Sequence, residues 1–316
     1  MKQLMVLMAV LWLLTGCSLV KKPEEVRVGI VSWPGYEPLA LADLLGYYPK
    51  EEIKIIRFPS IIDVLGAIRN GTIDVAALTI DESLVYAQEN PDIRAFLVCD
   101  FSNGGDGVVA KEGITRPDQL KGKRIAAEES ALSAYILERF LAFGGLTHAD
   151  VTVIPVNYDF QLQVFSTDQA DALITYNPVK EQLEAQGGAV LFDSTQMPGE
   201  IVDVLIASDT VLKAKKGSIE HLVEGWYRSV AYMKKNPRDA HKRIAALEGI
   251  SEAMFVRSLE GIKIPSRDES AWMLNRHPGS LYKTSRGLIE SMRSQGLLRK
   301  EVTFEHFFTH EYNGAE

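Results

Sequence analysis

The chain has 316 residues, 46% of them hydrophobic and 24% charged, and its formal net charge at pH 7 is −8. This composition is typical of soluble globular proteins, and the length is sufficient for two lobes of ordinary domain size. The acidic balance and the lack of a basic stripe argue against nucleic-acid binding, because such proteins must neutralise phosphates.

The first residues have the layout of a bacterial secretion signal. After Lys2 comes an apolar run of about 11 residues, which is shorter than the ~20 that a membrane span needs. The run ends in the sequence Leu-Thr-Gly-Cys at residues 14–17, which resembles a lipoprotein box. We therefore predict a signal peptide at residues 1–16, lipidation of Cys17, and a polar tether at residues 17–25 on the extracytoplasmic side of a bacterial membrane.

Strands and helices alternate along residues 26–100. The predicted strands are residues 26–31, 53–58, 74–79 and 94–100, and the predicted helices are residues 38–47, 61–69 and 82–88. Such alternation predicts a largely parallel sheet with helices on both faces.

A glycine-rich loop at residues 102–107 interrupts this alternation, because its glycines favour turns. A second alternating set follows, with strands at 124–127, 151–156, 170–175 and 190–192 and helices at 132–143, 160–165 and 179–186. An extended run at residues 201–207 precedes a mostly helical last third. We predict two lobes joined by two crossings, with lobe 1 at residues 26–102 plus 206–316 and lobe 2 at residues 103–205.

Six short stretches in this region resemble solute-binding proteins of ATP-binding-cassette (ABC) importers, in the branch for nitrate, sulfonate, taurine and thiamine pyrimidines. They are VGIVSWPGYEPL at 28–39, LLGYY at 44–48, GTIDVA at 71–76, LKGKRI at 120–125, ADA at 170–172 and YNP at 176–178. They occur in the expected order over most of residues 26–210. The resemblance implies an α/β, two-lobed periplasmic-binding-protein fold of type II. Each lobe is then a mostly parallel sheet flanked by helices, with the ligand cleft between the lobes.

The same resemblance implies a monomeric protein that closes on a small-molecule solute and delivers it to the permease subunits of an importer, without catalysis, cofactor or metal. One alternative is a sensing subunit for a membrane kinase or cyclase, whose capture chemistry would be identical. A second is an enzyme like the fungal-type thiamine-pyrimidine synthase or the menaquinone-pathway dehydratases. The export signal and the lack of a cysteine-rich motif argue against the enzyme.

Ligands of open α/β sheets bind beyond the carboxyl ends of the strands, so the loops after the strands are the candidate site. The loop after the first strand contains Trp33, Gly35 and Tyr36. Its two aromatic rings offer flat faces for stacking or for a cation. Alternatively, Trp33 only packs this loop onto the lobe.

Polar and acidic residues stand where two helices begin: Thr79 and Asp81 after the third strand, and Glu128 and Ser130 in lobe 2. They either cap the helices or contact the ligand. A bare helix N-terminus attracts anions, whereas carboxylates occupy both of these positions.

Further candidates lie on loops and at the crossings. Asp106, Asp159 and Glu200 are on loops that face the predicted cleft, and Ser102 and Asn103 lie at a crossing, where turn formation is the alternative role.

Tyr176 and Asn177 end a strand of lobe 2 and are expected to face Trp33 and Tyr36 when the cleft closes. Acids beside aromatic rings favour a cationic amine or aminopyrimidine over nitrate or a sulfonate, because buried carboxylates need a partner.

Overall fold

The strands of the protein form two separate mixed sheets in the computed structural model, which describes residues 24–277, 280–302 and 306–314. The predicted signal peptide and Cys17 lie outside these residues. The strands are β1 (Val26–Ile30), β2 (Ile53–Arg57), β3 (Val75–Thr79), β4 (Ile93–Ser102), β5 (Asp106–Ala110), β6 (Lys123–Ala127), β7 (Val151–Pro155), β8 (Ala172–Tyr176), β9 (Ala189–Asp193), β10 (Val202–Ser208) and β11 (Ile262–Lys263).

Helices flank both sheets, as the alternation in the sequence predicts. They are α1 (Glu37–Leu44), α2 (Ile61–Arg69), α3 (Ile80–Ala87), α4 (Ala131–Gly144), α5 (Gln161–Ser166), α6 (Val179–Ala185), α7 (Asp209–Ala214), α8 (Lys216–Lys235), α9 (Pro237–Glu248), α10 (Glu252–Glu260), α11 (Arg267–Leu274) and α12 (Leu281–Ser294).

The first sheet has the strand order β11-β4-β10-β3-β1-β2, and the second has the order β7-β6-β8-β5-β9. In the first sheet β10 runs antiparallel to β3 and β4, and in the second β5 runs antiparallel to β8 and β9. The prediction of α/β lobes holds, but the sheets are mixed. The reason is that β5 and β10 enter from the other sheet, without the helical crossover that keeps neighbouring strands parallel.

The chain passes between the sheets at residues 103–105 and 194–201. The second passage is earlier than the sequence suggests, because β10 begins at Val202 and all of it pairs within the first sheet. Residues 202–205, assigned to lobe 2 from the sequence, therefore belong to the first sheet.

Three helices begin close to the gap between the two sheets. The hydroxyl of Ser60 accepts the Asp63 N–H at the start of α2, and the hydroxyl of Ser130 accepts the Ser133 N–H at the start of α4. Helix α3 begins directly at the end of β3, where the Thr79 N–H donates to Glu82 Oε2 over 3.3 Å. These caps fix three helix N-termini around one region.

The C-terminal part of the chain packs on the first sheet. Trp226 in α8 is fully buried, and α8 lies against α1. The Asn313 side-chain amide donates to the Phe96 carbonyl over 2.7 Å, and β11 pairs with the end of β4. Among the described helices, none is long and apolar enough to cross a bilayer.

Candidate functional site

A narrow cleft with a cavity volume of about 30 Å³ lies between the two sheets. Its walls come from the ends of strands in both sheets and from the starts of α2, α3 and α4. The lining residues are Val31, Trp33, Tyr36, Ile61, Thr79, Glu82, Asp106, Glu128, Ser130, Leu132, Ser133, Ile136, Gln161, Ile174, Thr175, Tyr176 and Asp203.

Aromatic rings from both sides meet across this cleft. Trp33, from the first sheet, contacts Tyr176 edge-on with ring centroids 5.9 Å apart. Tyr176 in turn stacks on Tyr158, with centroids 4.3 Å apart and an interplanar angle of 10°. The expectation that Tyr176 and Trp33 face each other therefore agrees with the geometry, and the wall offers flat faces to a solute.

Trp33 is a packing residue as well as a lining residue, since only 4% of its surface is exposed. Its indole N–H donates to Asp100 Oδ2 over 3.1 Å. A Cβ atom on Gly35 would lie 1.8 Å from the same carboxylate oxygen. Gly35 is therefore needed for this close approach and does not itself line the cleft.

Two buried carboxyl groups, Asp100 and Asp203, accept hydrogen bonds from Trp33 and Tyr36, and only Asp203 lines the cleft. They are direct partners on the neighbouring strands β4 and β10. The Tyr36 hydroxyl donates to Asp203. Burial raises the pKa of Asp100 to about 8, and burial together with the charge of Asp100 raises the pKa of Asp203 well above its usual range. The pair therefore retains a proton at neutral pH, and its members are satisfied by Trp33, Tyr36 and each other.

The start of α3 carries two more buried acids, Asp81 and Glu82. Glu82 lines the cleft and accepts the Thr79 N–H, whereas Asp81 is buried but does not line the cleft. Burial raises the pKa of Asp81 to about 6. Burial and the charges of Asp81 and Glu128 raise the pKa of Glu82 well above its ordinary value.

The second sheet contributes Asp106 at the start of β5 and Glu128 after β6. Asp106 Oδ2 and Glu128 Oε1 are buried and have no hydrogen-bond partner in the described part of the chain. The Ile61 N–H at the start of α2 lies near the Glu128 carboxyl group and favours its ionised form. Burial raises the pKa of both groups to about 7. Among the described lining residues none is Lys, Arg or His.

Several predicted site residues lie at the crossings instead of in the cleft wall. The Ser102 and Ser194 hydroxyls are 2.7 Å apart, and the Asn103 N–H donates to the Gly261 carbonyl over 2.8 Å. The Asn177 amide donates to the Ser258 carbonyl over 3.3 Å. The structure therefore places Ser102, Asn103 and Asn177 in contacts that join the crossing segments and the C-terminal region.

Glu200 and Asp159 do not line the cleft either. Glu200 accepts hydrogen bonds from the Tyr135 hydroxyl over 2.6 Å and from Arg139 over 2.9 Å, which tie the second crossing to α4. Asp159 is exposed. Ser130 does line the cleft, but its hydroxyl caps α4.

The sequence analysis missed several polar lining residues, among them Glu82, Gln161, Thr175 and Asp203. The hydroxyl of Thr175 donates to the Gln161 side-chain oxygen over 2.5 Å. A signal for Asp203 exists in the sequence, because an aspartate inside the apolar run 201–207 must be buried with its strand.

The described residues contain no group of three or more His, Cys, Asp or Glu side chains arranged to hold a metal ion. Cys99 is fully buried, and burial raises the pKa of its thiol well above the usual range, which makes it a poor nucleophile.

Two α/β lobes with a cleft between them define the two-lobed fold of type II periplasmic binding proteins. The family model "NMT1/THI5 like" matches residues 33–240, more than half of the chain, and the chain belongs to this family.

Known proteins with this fold include both binding proteins and an enzyme. The taurine-binding periplasmic protein of Escherichia coli (strain K12) is 24% identical over 177 residues, which are 55% of this chain and only 55% of that protein. The alkanesulfonate-binding protein SsuA from Xanthomonas axonopodis pv. citri, bound to MOPS, has a TM-score of 0.74 at 19% identity, covering 90% of this chain and 98% of that one. The desulfurization enzyme DSZB has a TM-score of 0.67 at 15% identity, covering 92% and 97%. The fold alone does not decide between binding and catalysis.

Proposed function

We propose that the protein is the lipid-anchored, extracytoplasmic solute-binding component of an ABC importer, and that it captures a small organic cation such as an amine or aminopyrimidine. Family membership, the two-lobed fold and the similarity to periplasmic binding proteins support the importer role. The cleft supports the choice of solute.

One observation carries the cationic solute: the protein's own carboxylates occupy the helix N-termini that an anion would need. The Glu128 carboxyl group lies near the Ile61 N–H at the start of α2, and Glu82 accepts the Thr79 N–H at the start of α3. Backbone N–H groups at helix starts are the usual binding site for anions. A nitrate or sulfonate group entering the cleft would find carboxyl groups at these helix starts, and the ionised fraction of Glu128 would repel it.

The remaining surfaces suit a flat organic cation. Four lining residues carry carboxyl groups, namely Glu82, Asp106, Glu128 and Asp203. The rings of Trp33 and Tyr176 also line the cleft, and aromatic faces attract cations as well as stack on flat rings. A bound cation would supply the partner that the two unsatisfied carboxylate oxygens lack.

Isothermal titration calorimetry on the whole chain tests this solute class. Amines and aminopyrimidines are expected to bind, and nitrate, taurine and alkanesulfonates to bind far more weakly. Glu128→Gln should weaken cation binding at least tenfold, because it removes a buried charge that faces the solute. Glu129→Gln is the matched control, since Glu129 is the exposed neighbour of Glu128. Tight sulfonate binding without cation binding would overturn the proposed solute.

The membrane anchor rests on the lipoprotein-box sequence at residues 14–17. Cys17→Ser removes the thiol that the lipid would occupy. The variant is expected to move from the membrane fraction to the soluble fraction of cells that express the full chain. An unchanged distribution would argue against lipidation.

A further inference from the structure

Asp106 and Glu128 differ from the other described acids that line the cleft, because each has one buried oxygen without a hydrogen-bond partner; Asp81 Oδ2 is also unpartnered, but Asp81 does not line the cleft. Asp106 is 2% exposed and Glu128 is 4% exposed. Asp106 Oδ2 and Glu128 Oε1 have no hydrogen-bond donor within the described residues, although both side chains line the cleft. A desolvated oxygen of this kind is costly as part of a carboxylate and is tolerated when it carries a proton.

The groups around Asp106 are mostly acids. Asp100 on β4, Asp203 on β10 and Asp81 on α3 approach it from the first sheet's side. The nearby Ser102 hydroxyl favours its ionised form. Among the described residues, the Lys180 ammonium on α6 is the one cation that lowers the pKa of Asp106. Lys180 already pairs with Glu184. Asp106 therefore lacks a compensating charge of its own.

Glu128 is in a similar position. The charges of Asp63 on α2 and of Asp159 before α5 disfavour its ionised form, and Glu82 on α3 is also close to it. The Ile61 N–H favours the ionised form, but burial has the larger effect. The carboxyl groups that a cation would pair with are thus the groups that are partly protonated in the empty site.

The Asp100–Asp203 pair does not share this property. Trp33, Tyr36 and the contact between the two carboxyl groups already satisfy it. Displacing the proton of this pair therefore stabilises a bound cation less. The protons that a cation would displace are those on Asp106 and Glu128.

We propose that solute capture by this protein is coupled to proton release, with the bound cation replacing protons on the Asp106 and Glu128 carboxyl groups. This inference rests on the proposed function, because it requires a cationic solute. A cation that ion-pairs with these oxygens favours their ionised forms, and by linkage deprotonation favours the cation equally.

The sign of the pH dependence follows from burial, which raises the pKa of both groups to about 7 in the empty site. Below this pH the cation must displace protons, so its affinity falls by about tenfold per pH unit for each proton displaced. Above pH 8 the groups are ionised and the affinity is independent of pH. Capture is thus strong in neutral or alkaline surroundings, and release is favoured by acid.

Calorimetry with 4-amino-1-methylpyridinium tests the coupling, since this flat cation carries a permanent charge and N–H donors. Titrations at pH 7 in buffers of different ionisation enthalpy give the number of protons released per cation bound. We expect about one proton for the unmodified chain, because two groups with a pKa of about 7 are each half protonated at pH 7, and fewer for Asp106→Asn and for Glu128→Gln. Glu129→Gln should leave the number unchanged.

The outcomes separate the two proposals. Binding of the cation with no proton release overturns the coupling and leaves the cationic solute standing. Binding of taurine or an alkanesulfonate in place of the cation overturns both. Carboxyl carbon NMR of the empty protein adds a test that needs no solute: titration midpoints of Asp106 and Glu128 near pH 7 support the coupling, and midpoints below pH 5 overturn it.

Discussion

The Asp100 carboxyl group shows how much a single buried acid constrains its neighbours. It accepts the Trp33 indole N–H, it leaves no room for a side chain at Gly35, and it lies opposite Asp203 on the adjacent strand. These contacts hold the loop after β1 against the sheet. The loop's position in the cleft therefore depends on a residue that does not line it.

Asp100→Asn is expected to make the empty protein's stability less dependent on pH. The folded state holds the pKa of Asp100 at about 8, far above its unfolded value, so folding favours the protonated form. The resulting loss of folding stability is absent below pH 4, grows as the pH rises, and reaches its full size above about pH 8. The unmodified chain should thus be less stable at pH 8.5 than at pH 5.5, and the asparagine variant should reduce this difference by about 2 kcal/mol.

Urea denaturation at the two pH values measures this effect. Asp43→Asn is the control, because Asp43 is exposed on α1. If the free energy of unfolding changes by the same amount between pH 5.5 and pH 8.5 in the unmodified chain and in the Asp100 variant, the Asp100–Asp203 pair does not retain a proton.

The residues that the sequence analysis found and missed follow a physical pattern. Trp33, Tyr36, Asp106, Glu128 and Tyr176 were identified because they directly border strands, where the ends of α/β strands meet ligands. The acid inside β10 was missed because strand interiors were treated as core. Which loop acids turn outward depends on tertiary packing, and loop position alone does not determine it.

At the level of elements, the order of strands and helices was predictable, and the direction of two strands was not. Local periodicity and helix stop signals identify each element, because they reflect short-range backbone preferences. The antiparallel entry of β5 and β10 depends on where the chain changes sheets. That is a long-range property, with no local signal in the sequence.

A contact between the first crossing and the segment before β11 is a further feature that only the structure shows. The Gly261 carbonyl accepts the N–H groups of both Asn103 and Gly105, over 2.8 Å and 2.9 Å. A Cβ atom on Gly261 would lie 2.8 Å from the Gly105 Cα atom. The crossing is therefore supported by the C-terminal region as well as by its own sheet.

Gly261→Ala is expected to disturb this support and to weaken solute binding without touching the cleft. The added methyl group forces the two backbones apart, at a cost of about 1–3 kcal/mol. The free energy of unfolding should fall by this amount, and cation affinity in calorimetry should fall several-fold.

Gly217→Ala is the matched control, since no atom lies within 4 Å of the added Cβ in α8. Unchanged stability and affinity in the Gly261 variant would show that the close approach relaxes freely and does not support the crossing.

At the scale of the whole molecule, contacts that close the cleft oppose charges that open it. Trp33 meets Tyr176, the Ile61 N–H meets Glu128, and Arg257 on α10 pairs with Glu181 on α6 over 3.1 Å. Like charges on the lining acids repel one another across the same gap. The balance between the two should depend on how many of these acids are ionised.

We therefore expect the empty protein to be more open at pH 8.5 than at pH 5.5. Burial holds the pKa of Asp106 and Glu128 at about 7, so both are mostly neutral at the lower pH and ionised at the higher one. Small-angle X-ray scattering should show a larger radius of gyration at pH 8.5, and a saturating cation should reverse the increase by neutralising the cleft. Glu128→Gln keeps the size of the side chain but removes the charge, so the radius of this variant should change less with pH, whereas Glu129→Gln should behave like the unmodified chain. If the radius of the empty protein is the same at both pH values, charge repulsion does not control the opening of the lobes.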